Sequence, residues 1–172
     1  MRAVSTAPAE VVPSCREGQA LRAHRAAVDR RAAAARRVAR MLLPAAERAG
    51  GFTSTQLRIR PGGVRPARAP DAVLVLGDPP TDGLLTEAPA LVCYVDLGGD
   101  AVPVDARFWL RLGAVAVWQV QLWQVRPHVL PGEVRVWTGV QATVARAPDV
   151  LELPVPSRTP LRVPVADLLD VR

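Results

Sequence analysis

The sequence predicts a mixed α/β (α+β) fold: a mixed sheet flanked by helices, with a long helix at its N-terminal end. Three observations carry this. From about Glu17 to Arg48 the chain is rich in Ala and Arg, both strong helix formers, with Leu21, Val28, Ala35 and Leu42 spaced seven apart and Val38 and Ala39 between them. That spacing draws one apolar stripe along a helix. After Gly50-Gly51 the chain changes to short Val- and Leu-rich runs broken by Pro and Gly, the pattern of strands and turns. A single helix-compatible stretch, Pro103 to Leu112, interrupts those runs. One long helix, about five strands and one inserted helix make a layered sandwich around a sheet. At 172 residues and 49 % apolar, the chain is long enough for one domain with a sizeable core. Residues 1–15 read as a flexible N-terminus and 16–172 as that domain.

The elements follow in order. Pro44 is expected to kink or restart the first helix, and Gly50-Gly51 to end it. Phe52 to Arg60 (FTSTQLRIR) alternates like a strand, and PGGVRPARAP after it is a turn and connector. Asp71 to Asp78 (DAVLVLGD) is a short apolar strand beginning directly after Pro70, and DPPTDGLLTEAP is a loop. The next strand lies in APALVCYVDLGGD, Ala88 to Asp100, where Tyr94 and Asp96 share a side because side chains alternate. Asp105 falls in the first turn of the short helix. Gly113 to Val125 reads as one or two strands, Gly132 to Gly139 as another, with an exposed edge able to carry a contact, and ADLLD as a closing turn or helix.

Composition narrows the function. No apolar run reaches the roughly 18 residues needed to cross a bilayer, so no membrane role is expected, and the N-terminal residues lack the apolar core of a signal peptide. Two cysteines, Cys15 and Cys93, suggest a reducing, cytoplasmic setting without a disulfide framework. All 22 basic residues are arginine, and the net charge of +6 is uneven. Residues 16–48 carry nine Arg against Glu17, Asp29 and Glu47, a net +6, whereas residues 49–172 carry twelve of each sign. A localised basic face can attract nucleic acid or anionic lipid. On it Arg30, Arg36, Arg37 and Arg40 are the candidates for phosphate contact, which would be salt-dependent and sequence-independent. An Arg-rich solvated helix face and a GC-rich coding sequence account for the same residues.

Two acids stand at strand ends. Asp71 opens one strand and Asp96 closes the next. Neighbouring strands lie about 4.8 Å apart, so facing carboxylates there can share Mg²⁺, which takes oxygen ligands and can stabilise a phosphodiester transition state. Asp after Pro at a strand start equally serves as a turn or cap residue. His24 and His128 have no neighbours at triad or zinc spacing, and Trp118, Trp123 and Trp137 read as core or interface fillers. Gly98-Gly99 lacks the other elements of a nucleotide fingerprint.

The stretch APDAVLVLGDPPTDGLLTEAPALVCYVDL followed by FWLRLGAVAVWQV resembles the Uma2 family of restriction endonucleases, which have the PD-(D/E)xK nuclease fold. LLPAAERAGG and PLRVPVADLLD resemble the end of that family's first helix and its C-terminal segment, so the likeness spans roughly Arg22 to Asp170. The resemblance implies a restriction-endonuclease-like sheet and Mg²⁺- or Mn²⁺-dependent DNA hydrolysis. Pro70-Asp71 matches the family's Pro-Asp, making Asp71 its first metal carboxylate. The family's Glu falls on Tyr94, a poor Mg²⁺ ligand; Asp96, two residues on along the same face, can substitute only if the metal moves by about 6 to 7 Å. The family's Lys falls on Asp105. No lysine replaces it, and the nearest cation, Arg107, can hold phosphate but cannot act as a base. The family's Tyr on that helix falls on Trp109. Trp118 matches a strand tryptophan, and the Asp often found three residues later is Gln121. Asp71, Asp96 and Arg107 are thus the catalytic candidates, with Asp71 and Asp96 as metal ligands. Only one of three catalytic positions is retained, so the family's activity is expected to be weakened or lost. The alternatives are an inactive nucleic-acid-binding or protein-interaction module on the same fold, and a displaced active site built from Asp71, Asp96 and Asp105. Nucleases of this class often pair, so the resemblance admits a homodimer.

Overall fold

The computed structural model describes residues 15–55, 57–66, 68–97, 104–122, 124–125, 128–129, 132–154 and 160–169. The expected flexible N-terminus, the Gly98-Gly99 turn and Trp123 lie outside them. Helix α1 runs Cys15–Arg48. Strands β1 (Gly51–Ser54) and β2 (Arg58–Ile59) follow, then a 3₁₀ turn Pro61–Gly63, β3 (Ala72–Leu76), β4 (Leu84–Leu85) and β5 (Leu91–Asp96). Helix α2 (Ala106–Arg111) leads to β6 (Ala116–Gln121), β7 (Gln124–Val125), β8 (His128–Val129), β9 (Glu133–Trp137) and β10 (Ala142–Ala145). The last elements are β11 (Val150–Leu153), β12 (Leu161–Pro164) and α3 (Val165–Leu169).

Six strands form the central sheet in the order β1-β3-β5-β6-β9-β10. Only β5 and β6 run parallel, and α2 is carried by the connection between them. The remaining pairs are antiparallel, so the sheet is mixed, as the sequence predicts. Period-two alternation divides its side chains between two cores. Leu74, Cys93, Val95, Trp118, Val120 and Val134 face α1, α3, β11 and β12. Val73, Val92, Tyr94 and Val117 face α2, whose Ala106 and Trp109 are buried on them. Gly51 is required where β1 meets β3, because a Cβ there would collide with the Val75 carbonyl oxygen.

Several details differ from the sequence reading. Helix α1 continues through Pro44; without an N–H, Pro44 simply leaves the Arg40 carbonyl without its usual helical donor. The seven-residue stripe is buried only in its C-terminal half. Ala35 and Leu42 are 3 % and 0 % exposed, whereas Leu21 and Val28 are 70 % and 52 % exposed, because α1 extends past the sheet it packs on. The run Phe52 to Arg60 is two strands, with β2 turning away to pair in parallel with β4, inside the expected loop. Gly132 to Gly139 is not an edge: β9 is paired on both sides, and the edge beyond it is β10. Among the described residues no helix is long and apolar enough to cross a membrane.

Candidate functional site

The register puts Asp71 beside the end of β5. Ala72 pairs with Cys93, and the Asp71 N–H donates to the Cys93 carbonyl at 2.9 Å. Asp71 therefore stands opposite Tyr94, the position to which the family resemblance assigns a metal-binding glutamate. Its carboxylate, 13 % exposed, is surrounded by donors. Arg31 of α1 grips it with both ends of its fork, Nε to Oδ1 at 2.8 Å and NH2 to Oδ2 at 2.9 Å. Oδ2 also accepts from the Val95 N–H at 2.8 Å and from Arg68 NH2 at 3.2 Å. Four donors against the roughly four lone-pair directions of a carboxylate leave little room for another ligand. Burial raises the Asp71 pKa, opposed by the Val95 N–H and then by the Arg31 charge.

Tyr94 continues the network on the α2 side. Its ring is 2 % exposed and lies 5.0 Å below the Arg68 guanidinium, a cation–π contact. Its hydroxyl accepts from Trp109 Nε1 at 2.8 Å and donates to the Arg68 carbonyl at 3.2 Å. Burial, with the Asp71 charge in support, pushes its pKa up to about 12 despite the Trp109 hydrogen bond. A phenol held neutral in this way does not ligate Mg²⁺. The chain Arg31–Asp71–Arg68–Tyr94–Trp109 thus ties α1 to α2 around the start of β3.

The other candidates lie apart from that cluster. Asp96 ends β5 and accepts from Gln119 Nε2 of β6 at 3.3 Å. It is two residues, about 6.6 Å of strand, beyond the residue facing Asp71. Asp105 caps α2, accepting from the Phe108 N–H at 2.9 Å. Arg107 is on the exposed side of α2. Arg30, Arg36 and Arg40 are exposed on α1, while Arg37 is half-buried. Among the described residues no three His, Cys, Asp or Glu side chains lie close enough to hold a metal ion. The groups that meet Asp71 are N–H donors, not the oxygen ligands that Mg²⁺ or Mn²⁺ takes. No protein family, curated protein or solved structure matches this chain.

Sequence reasoning missed the partners rather than the positions. Arg31 was one arginine among nine in its segment, yet it lies three residues after Val28 and four before Ala35, on the stripe that faces the sheet. An arginine on an apolar stripe signals a buried acid to pair with. A second polar cluster also went unread: Glu133, 3 % exposed, accepts from Arg146 of the strand-end beside it and from Arg135 at 3.3 Å. The register places Glu133 against Gln121, and Gln121 against Asp96. Gln121 Oε1 is buried with no hydrogen-bond partner.

Proposed function

We propose that this chain is a Uma2-like module of the nuclease fold that binds nucleic acid without cleaving it. The observation that carries the reading is the Asp71 carboxylate, which meets four protein donors, with neutral Tyr94 at the position opposite. Fixed guanidinium groups stand where a hydrolytic site needs exchangeable oxygen ligands. The exposed arginines of α1 supply a cationic face, and phosphate contact is the chemistry such a face serves. Buried, free Cys93 suits a reducing, cytoplasmic setting. The test is incubation of supercoiled plasmid with Mg²⁺ or Mn²⁺, wild type beside Asp71→Asn, together with a duplex-binding titration over a salt series. Binding without nicking by either protein is the expected result. Nicking by wild type but not by Asp71→Asn would establish a displaced-site nuclease instead.

The edge of the sheet favours a second reading, a protein-interaction module that pairs with its own copy. β10 is an end strand, and Val136 to Ala145 contains no charge, whereas exposed edges are usually guarded by charges or Pro. Val140 and Val144 are 74 % and 45 % exposed. Sedimentation of wild type against Val144→Lys tests it: a dimer that the lysine splits supports this reading, and a wild-type monomer removes it.

A further inference from the structure

A groove runs along the seam between α1 and edge strand β1, and its two halves differ in charge. The first half, about 290 Å³, contains Arg31 and Asp71 with Val28 and Pro70 at its rim. Its cation and anion are already paired. The second half, about 310 Å³, is lined by Arg36, Ala39, Arg40, Thr53, Ser54 and Thr55. Arg36 and Thr55 belong to both halves.

The second half has the composition of an anion seat. Arg36 and Arg40 lie four apart on α1, hence on one face and about 6 Å apart along the axis. Both are exposed, and neither has an acidic partner among the described residues. Opposite them, β1 offers the hydroxyl of Thr53. Thr53 pairs with Leu74, whose side chain faces α1, so Thr53 points to the helix as well. Between the two elements lie Ala35 and Ala39, side chains short enough to leave the seam open. Among the described residues, no carboxylate and no aromatic ring lines this half.

We infer that this half-groove is a seat for backbone phosphates of duplex nucleic acid, clamped by Arg36 and Arg40 and hydrogen-bonded by the Thr53 hydroxyl. The inference rests on the preceding reading that α1 meets nucleic acid, and it gives that contact an address and a form. Guanidinium forks match phosphate oxygens, and hydroxyl donors are common partners of the same oxygens. The missing aromatics decide the form of the ligand. Proteins that hold single strands stack bases on aromatic side chains, and none lines this groove among the described residues, so it grips a backbone whose bases are paired and turned away.

The test is fluorescence anisotropy of a labelled duplex over a salt series, with wild type, Arg36→Gln, Arg40→Gln and Arg111→Gln. Arg111 is exposed on α2, on the other side of the sheet, so it controls for loss of one charge. Arg36→Gln and Arg40→Gln are expected each to weaken binding and to lower the slope of log K against log salt by about one. Arg111→Gln should leave that slope at the wild-type value. Unlabelled single strand of the same length should compete more weakly than duplex. If wild type binds but all three variants weaken equally, the seat is overturned while the nucleic-acid reading stands. If wild type binds no duplex at low salt, that reading fails and takes the seat with it. An inorganic-phosphate arm, read as thermal stabilisation at constant ionic strength, separates the sources. Arg36-dependent stabilisation without duplex binding would assign the groove to a small phosphate and overturn the inference as stated.

Discussion

Replacing Arg31 by alanine probes the Asp71 clamp most directly. The guanidinium supplies two of the four hydrogen bonds to that carboxylate, at 2.8 and 2.9 Å. Breaking a fully buried ion pair on one side costs roughly 3–5 kcal/mol. Here the Asp71 side chain is 13 % exposed but that of Arg31 is 35 %, so solvent screening reduces the figure. Arg68 and the Val95 N–H also remain in place. We expect a loss of about 2–3 kcal/mol, which in a chain of this size lowers Tm by about 5–10 °C. The pH dependence has a definite sign. Burial already raises the Asp71 pKa above its ordinary value, and Arg31 is one of the influences holding it down. Without Arg31 the folded-state pKa climbs further above the unfolded one. A carboxyl with a raised folded pKa gives stability that is fully present below its unfolded pKa and lost as pH rises through the folded one. The Arg31→Ala deficit should therefore be smallest near about pH 4 and larger at neutral and alkaline pH. Urea unfolding of both proteins at stepped pH measures it. A deficit that does not change with pH, or none at all, would refute the argument that Arg31 compensates a buried charge.

Two further outcomes follow from neighbouring groups. Tyr94→Phe removes the hydroxyl between Trp109 Nε1 and the Arg68 carbonyl, leaving two interior polar groups without that partner. A loss of about 1–3 kcal/mol is expected in urea unfolding, and a neutral result would show that these groups find other partners. Burial pushes the Cys93 thiol well above its ordinary pKa, so in a Cys15→Ser background a thiol reagent should react only when the protein unfolds. Rapid reaction of the native protein would contradict the position of Cys93 in the core.

How much of this was legible in the sequence depends on whether the cause is local. Helix α1 was legible because propensity and a seven-residue stripe agree, and β3 and β5 because continuous apolar runs mark strands buried on both faces. The strands β11 and β12 were not picked out, although their burial alternates strictly. They are four residues each, in a segment dense with proline, and period-two alternation over so few positions is weak against such breakers. The exposed half of the α1 stripe was misjudged because periodicity says which side of a helix is apolar, not how far the sheet reaches beneath it. At the site, Asp71 and Tyr94 stood out at once. Their true partners did not, since Arg31 is forty residues from Asp71 and only the docking of α1 on the sheet selects it from its neighbours.

The same register says what this corner would need before it could hold a cation. An acid at position 94 would stand opposite Asp71, so Tyr94→Glu creates a carboxylate pair there. That change alone should not create a metal site. The Arg31 fork would still hold Asp71, and the new carboxylate would be buried at a position 2 % exposed in the wild type, next to Arg68. Tyr94→Glu should therefore lose stability and show no response to Mg²⁺. In Arg31→Ala/Tyr94→Glu the arginine fork is gone and two carboxylates share one corner with Arg68 as their nearest cation. A divalent ion that binds only the folded state then raises Tm, the more so the further its concentration exceeds its Kd, and oxygen ligands of this kind suit Mg²⁺. The expected pattern is a Tm gain with Mg²⁺, over a NaCl control of equal ionic strength, in the double variant alone. An equal gain in wild type or in Tyr94→Glu would mean that Arg31 does not close the site, and the non-cleaving reading would lose the observation that carries it.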